Sequence, residues 1–239
     1  MNLVLDIGNT NVKMALFDSN QMMDYQLIKN FTFEKIQDFI KKNHQIKNIY
    51  YSDTKSFIKN PDTYFKDFKM NVVKVDYKLK LPISIEYGTP ETLGSDRIAL
   101  AVGAGIQYDG MKLIIDTGTC ITYDIVSEKK YIGGQISPGI NMRLSALNHY
   151  TSNLPKINFD FPKDFIANTT KSAILKGVYD GIVFEINGII QNYKLRYPNI
   201  VVILTGGDLK KFETEIKNVN FINRYLLMEG LNYIIASNE

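Results

Sequence analysis

Three aspartates in this chain stand in surroundings suited to phosphoryl chemistry. Asp6 closes the apolar run Leu3-Val4-Leu5 and is followed by Ile7, Gly8, Asn9, Thr10, Asn11, Val12 and Lys13. A strand ending in a carboxylate, with glycine and small polar residues beyond it, suits a polyphosphate and its metal. Glycine lets backbone N–H groups come close to oxygen atoms, and the carboxylate can hold Mg²⁺ or its waters. Read alone, the same letters describe a hairpin turn that favours Asp, Gly and Asn. The pattern returns at Lys112-Leu113-Ile114-Ile115-Asp116-Thr117-Gly118-Thr119, where Asp116 again ends an apolar strand and precedes x-Gly-x. An internal repeat of this kind bears on the whole fold.

The third aspartate lies in Tyr87-Gly88-Thr89-Pro90-Glu91-Thr92-Leu93-Gly94-Ser95-Asp96-Arg97. Gly94 breaks the local structure, and Ser95 is expected to cap a helix running through Ile98, Ala99, Leu100 and Val102. Asp96 and Arg97 then occupy its first turn. An acid there is ordinary, since the helix dipole favours it. An arginine is unfavourable to that dipole and implies a second role: a guanidinium beside exposed helix N–H groups can capture an anion such as a substrate carboxylate. Adjacent residues on a helix do not face one another, so Asp96 and Arg97 are more than a local ion pair.

The elements that must position these groups follow one plan twice. In the first half, strands are expected at 12–17 and 22–28 around a turn at 18–21. A helix capped by Thr32 presents Phe33, Ile36, Phe39 and Ile40, and strands follow at 46–52 and 71–75, with a further helix between them. In the second half, strands at 113–115, 121–126 and 131–137 precede a helix that starts at Pro138-Gly139 and runs through Leu144 and Leu147. A long helix at 171–196 leads to a strand at 200–204, which runs into Thr205-Gly206-Gly207-Asp208. A short strand at 221–222 and a helix at 226–235 close the chain. Two such halves imply an α/β fold of two related domains, 1–110 and 111–239, each a mixed β-sheet with flanking helices, around a nucleotide cleft. The chain resembles the actin, Hsp70 and sugar-kinase superfamily, the actin-like ATPases of ribonuclease H-like fold, throughout its length.

Composition narrows the function classes. The 239 residues, 45% hydrophobic, suffice for two modest cores. A net charge of +3 with no basic block argues against nucleic acid. The one cysteine, Cys120, cannot form an internal disulfide, which points to a reducing, cytoplasmic setting. Asp6 interrupts the only apolar run near the N-terminus, so no secretory leader is expected. No membrane span is expected either, since residues 181–190 carry Glu185 and Asn187. His44 and His149 are the only histidines, too few for a His/Cys zinc site.

Five stretches together are more specific than any one. Asp6-Ile7-Gly8-Asn9-Thr10, Leu93-Gly94-Ser95-Asp96-Arg97, Asp116-Thr117-Gly118-Thr119, Gly133-Gly134-Gln135-Ile136-Ser137-Pro138-Gly139 and Leu204-Thr205-Gly206-Gly207 stand in the order and spacing seen in type III pantothenate kinases. The resemblance covers nearly the whole chain. It implies phosphorylation of pantothenate by ATP, the first step of coenzyme A synthesis. It further implies that residues Asp6 to Lys13 form the first phosphate-binding turn and that Thr119 contacts ATP phosphate. Tyr87, Gly94, Ser95, Asp96 and Arg97 would hold pantothenate, with Asp96 as catalytic base, and Thr170 would be a further substrate contact. Asp116 would bind a monovalent cation (K⁺ or NH₄⁺), Mg²⁺ would arrive with ATP, and the protein would be a homodimer. Thr169 stands where the family usually has Asn, so Thr169 and Thr170 can exchange roles. Tyr51-Ser52-Asp53-Thr54 replaces a small apolar run.

Other features are read as structural or remain open. Asp124 is read as structural, and His149 as a surface or interface residue. Gly133-Gly134 is either a close backbone approach or a β-bulge. Gly206-Gly207 suits an adenosine contact or a plain strand-to-helix turn. The face of helix 171–196 bearing Ile174, Val178, Ile182, Glu185, Ile186 and Ile189 is either a dimer surface or a face packed on its own sheet. Two other functions share this pattern: a nucleotide-gated regulatory factor, and a kinase for another small hydroxylated acid. An acceptor base beside an anion hook is what a pure clamp would not need.

Overall fold

The computed structural model describes residues 1–8 and 11–239. Asn9 and Thr10, both in the first expected phosphate turn, lie outside the described residues. The chain forms two compact units: Met1–Asp109 with Val126–Gly133 and Tyr225–Glu239, and Gly110–Ile125 with Gly134–Arg224.

In the first unit, β1 (Asn2–Ile7), β2 (Val12–Asp18), β3 (Gln21–Ile28), β4 (Asn48–Asp53) and β5 (Asn71–Lys74) form a sheet in the order β3-β2-β1-β4-β5. β1 is antiparallel to β2, with Asp6 opposite Lys13, and parallel to β4, with Asp6 opposite Ser52. Alternation splits β1 between two faces. Leu3, Leu5 and Ile7 join Ile36 and Ile40 of α1 (Phe33–Lys42) in one core, while Val4 and Asp6 face the other way. That other side carries α3 (Ser95–Gln107) and α7 (Leu226–Asn238), which pack closely on each other and reach β1 and β4. The approach depends on glycine. A Cβ at Gly230 would lie 1.8 Å from the Ala99 carbonyl oxygen, and one at Gly103 would lie 2.6 Å from that of Leu226. α3 is buried all round from Arg97 to Gly105, as its unbroken apolar run requires. A short helix, α2 (Asp62–Phe65), lies between β4 and β5, and a two-residue strand, β6 (Ser84–Ile85), precedes α3.

The second sheet, most of it in the second unit, sets β7 (Met111–Thr117), β8 (Cys120–Ser127), β9 (Lys130–Pro138), β10 (Val201–Thr205) and β11 (Phe221–Ile222) in the order β11-β10-β7-β8-β9. Read from the other end, this is the order of the first sheet with β7 in the place of β1. β6 pairs with the start of β9 through Ser84↔Lys130 and Ile85↔Tyr131. Helices α4 (Ile140–His149), α5 (Thr170–Arg196) and α6 (Leu209–Phe212) complete the unit. Ile174, Val178, Ile182, Ile186 and Ile190 of α5 are buried in one cluster with Leu113, Ile115 and Leu204. Of the two roles open for that apolar face, the structure realises packing on its own sheet. Among the described residues, the large apolar side chains of α5 that are exposed are Phe184 and Leu195.

The compact units follow packing rather than chain order. α7 lies late in the sequence but belongs to the first unit, because its apolar face is spent on α3.

Candidate active site

The first turn is built from the ends of β1 and β2. Asp6 is buried, and its Oδ2 accepts from Lys13 Nζ at 2.9 Å. The Gly8 N–H donates to the Asn11 carbonyl at 3.2 Å. The turn borders a cavity of about 230 Å³ whose lining includes Gly8, Asn11, Lys55 and Phe57. Lys55 is a cation beside this turn that the sequence reading did not single out.

One strand over, Ser52 lies beside Asp6 and turns toward α3. Its hydroxyl is 3.0 Å from that of Ser95, and the Asp53 N–H donates to Ser95 Oγ at 3.2 Å. Ser95 is therefore not the helix cap expected from the sequence. The cap position belongs to Gly94, and the Ser95 hydroxyl is buried sideways against β4. Asp53 in turn accepts from the N–H groups of Lys55 and Ile58 at 3.1 and 2.8 Å. The Tyr51-to-Thr54 stretch thus moors the start of α3 to the strand beside Asp6.

Asp96 is half-buried in the first turn of α3, and its Oδ1 accepts from the Arg97 N–H at 2.8 Å. That pose lies over Gly94, where an added Cβ would be 2.4 Å from Asp96 Oδ1. Arg97 is buried, with its guanidinium carbon 6.0 Å from the Tyr87 ring centre and 5.9 Å from that of Tyr131. The two rings meet edge to face at 5.7 Å. Aromatic faces favour a guanidinium and hold its plane. Tyr131 reaches this place through the β6–β9 pairing, which also sets Tyr87 two residues beyond β6. The structure thus assembles Tyr87, Gly94, Ser95, Asp96 and Arg97, and adds Tyr131 and Ser52. No local pattern marks Tyr131, and Ser52 stands out only within the Tyr51-Ser52-Asp53-Thr54 departure; strand pairing supplies both.

In the second unit, Asp116 is the penultimate residue of β7, as Asp6 is of β1, and it pairs in register with Thr205. Gly206 has φ +114°, and a Cβ there would lie 2.4 Å from Asp116 Oδ1 and from the Thr117 amide nitrogen and carbonyl oxygen. Only glycine fits this place. Thr119 is exposed at the turn into β8. Its carbonyl accepts from the Gly139 N–H at 3.0 Å, and a Cβ at Gly139 would lie 2.3 Å from the Gly118 carbonyl oxygen. The Asp116–Thr119 turn is thus wedged between the Gly206 turn and the Pro138-Gly139 entry to α4. Among the described residues, no group of three or more His, Cys, Asp or Glu is placed to hold a metal. Asp116 Oδ1 and the Thr117 carbonyl oxygen both border Gly206, and oxygen donors suit a hard cation rather than zinc.

A family model described as type III pantothenate kinase matches residues 2–192. The chain belongs to this family. It is 39% identical to the type III pantothenate kinase of Christiangramia forsetii, over 100% of this chain and 99% of that one. Among solved structures, a Campylobacter jejuni protein described as a Baf family transcriptional activator is 25% identical, covers 99% of this chain and 98% of its own, and superposes with a TM-score of 0.62. A Listeria monocytogenes protein described as an N-acetylmannosamine kinase is 11% identical, with a TM-score of 0.56 over 100% of this chain and 99% of its own. The fold is the duplicated actin-like ATPase fold of the sugar kinases.

Several other positions in this type III pantothenate kinase differ from, or sharpen, the sequence reading. Thr169 is the N-cap of α5. Its Oγ1 accepts from the Ser172 N–H at 3.1 Å, and Ser172 Oγ accepts from the Thr169 N–H at 3.0 Å. Thr170 is the first helical residue and is exposed. Thr32 also stands at an N-cap, but without a side-chain bond to the helix. Asp124 is fully buried and accepts from Thr122 Oγ1 at 3.0 Å. His149 is exposed at the end of α4. Gly133 has φ +142°, which favours glycine. Among the described residues, no helix is long and apolar enough to cross a membrane.

Proposed function

We propose that this type III pantothenate kinase moves the γ-phosphoryl group of ATP to the alcohol of pantothenate, giving 4′-phosphopantothenate at the start of coenzyme A biosynthesis. The observation that carries the residue assignment is the start of α3. There a carboxylate lies over a glycine cap, and the next residue is a buried arginine set against two tyrosine rings. In this reading, Arg97, Tyr87, Gly94 and Ser95 seat pantothenate, with the guanidinium on its carboxylate. The alcohol oxygen bonds to the γ-phosphorus while the bond to the ADP oxygen breaks, and the alcohol proton passes to Asp96. An aspartate carboxylate is by nature a weak base. A weak base suffices when the transition state is loose and proton transfer is late.

The ATP phosphates are assigned to the turn Asp6, Ile7, Gly8, Asn9, Thr10, Asn11, Val12 and Lys13 and to Thr119. Lys13, now on Asp6, is a flexible cation able to move to phosphate, and Asp6 is then open to the Mg²⁺ that travels with ATP. Asp116 is assigned the monovalent cation, which would add positive charge beside the phosphates. Thr170 is assigned to substrate, supported by the use of Thr169 as a cap. A cytoplasmic homodimer belongs to the same reading, with Phe184 and Leu195 large apolar side chains of α5 open to a partner.

A coupled ADP-release assay tests this, with and without pantothenate and K⁺, on the wild type and Asp96→Asn. Turnover should require pantothenate and fall by about 10²–10⁴-fold in the variant with ATP binding kept. ADP release indifferent to pantothenate would refute the acceptor and favour a nucleotide-gated regulator or another hydroxylated acid. A rate indifferent to K⁺ would remove the role given to Asp116.

A further inference from the structure

Behind the second turn, the side chains of Tyr123, Arg143 and Glu185 form a connected polar group, although none is among the residues assigned to substrates. Glu185, on α5, accepts from the Tyr123 hydroxyl of β8 through Oε1 at 2.7 Å and from Arg143 Nη2 of α4 through Oε2. Arg143 also donates from Nε to the Pro138 carbonyl at 2.8 Å and from Nη2 to Ser137 Oγ at 2.9 Å. The next residue after Pro138 is Gly139, whose N–H holds the Thr119 carbonyl at 3.0 Å. Tyr123 is fully buried, four residues beyond Thr119 on the other side of the same turn. The path runs from the α5 core to both flanks of Gly118-Thr119.

We propose that Glu185, Arg143 and Tyr123 are positioning residues that set the Gly118-Thr119 turn for the phosphate of ATP, an inference that rests on the assignment of Thr119 to phosphate. The charges matter as well as the shape. Burial by itself would raise the Glu185 pKa, but hydrogen bonds from Arg143, Tyr123 and Ser137 outweigh it and leave the carboxyl below its ordinary value. Burial, then the Glu185 carboxylate, pushes the Tyr123 phenol upward, so it remains a donor. An ionised Glu185 orients the guanidinium, and the oriented guanidinium fixes the Pro138 carbonyl and hence the Gly139 N–H. That N–H is aimed at the backbone of the turn itself. The packing leaves no slack, because any Cβ at Gly139 would collide with the Gly118 and Thr119 carbonyls. A small tilt of the Pro138-Gly139 peptide therefore has to appear as a shift of the turn.

The variants are Glu185→Gln and Arg143→Lys, with Tyr123→Phe as the one that removes a single hydroxyl and keeps core volume. Each is compared with the wild type and Thr119→Ala in the full chain, after thermal unfolding has measured its folded fraction. Misplacement of a binding group by about 1 Å costs up to about 10²-fold in rate. Expected for Glu185→Gln and Arg143→Lys is a loss of about tenfold or more in kcat per folded molecule, with the KM for pantothenate within about twofold of wild type. The double variant should lose no more than the worse single one, as members of one unit do. Amide hydrogen exchange should quicken in peptides covering 116–122 and 137–143 in all three variants, in the absence of substrates. Wild-type kcat per folded molecule in Glu185→Gln and Arg143→Lys, or unchanged exchange in those peptides, overturns the relay while a disabled Thr119→Ala keeps the phosphate assignment. An active Thr119→Ala overturns that assignment and the relay with it.

Discussion

Replacing Gly94 by alanine should disable the proposed base without unfolding the protein. The backbone at Gly94 has φ −60° and ψ 139°, values any residue adopts, so the substitution is not opposed by backbone strain. What opposes it is one side chain: the new Cβ would stand 2.4 Å from Asp96 Oδ1 and 3.5 Å from its Cγ. A normal non-bonded contact is about 1 Å longer, so the carboxylate must swing away by roughly that distance. The swing breaks the bond to the Arg97 N–H, worth about 1 kcal/mol, and alanine is a poorer cap than glycine by several tenths or more. The smaller backbone entropy of unfolded alanine returns about 0.4–1 kcal/mol. The net loss is about 1 kcal/mol, a fall in Tm of about 2–4 °C in a chain of this size. The catalytic effect is larger, since a 1 Å error in a reacting group costs about 10²-fold. The measurement is steady-state ADP release with pantothenate varied, beside a melting curve. A Gly94→Ala enzyme within about threefold of wild-type kcat, next to a disabled Asp96→Asn, would show that the carboxylate does not act from the observed pose.

Two further outcomes concern stability. Gly230→Ala sets a Cβ 1.8 Å from the backbone oxygen of Ala99, so α3 and α7 must part, and urea unfolding should show a loss of about 3 kcal/mol or more. Gly188→Ala on α5, where nothing lies within 4 Å of the new atom, is the control and should stabilise by up to about 1 kcal/mol. Burial, then the Asp53 charge, pushes Tyr51 up to about 12, while an unfolded phenol ionises near 10. The native state holds a proton that the unfolded chain releases across this window, so stability falls as pH rises from about 10 to 12, by about 2 kcal/mol for Tyr51. Tyr51→Phe should flatten that slope in unfolding curves taken across the window.

Short-range physics made much of this protein legible from its residues alone. Apolar runs ended by Asp6 and Asp116, the two-residue period of the strands and the glycine-marked turns depend only on neighbours along the chain. They announced a repeated sheet with an acid-ended strand in each copy, and the order β3-β2-β1-β4-β5 recurs as β9-β8-β7-β10-β11. Asp96 and Arg97 were legible for a similar reason: a cation in the first turn of a helix is out of place electrostatically wherever the helix lies. What only the tertiary structure decided are the partners chosen at long range. Ser95 has the right letter for a cap, but its hydroxyl goes to Ser52, 43 residues away, because β4 passes beside the helix start. Tyr131 meets Arg97 only once β6 has paired with β9. The isoleucines of α5 have the same spacing whether they face a partner or their own sheet, and the buried cluster shows that they face the sheet. Periodicity states that a face is apolar; only the assembled packing states what covers it.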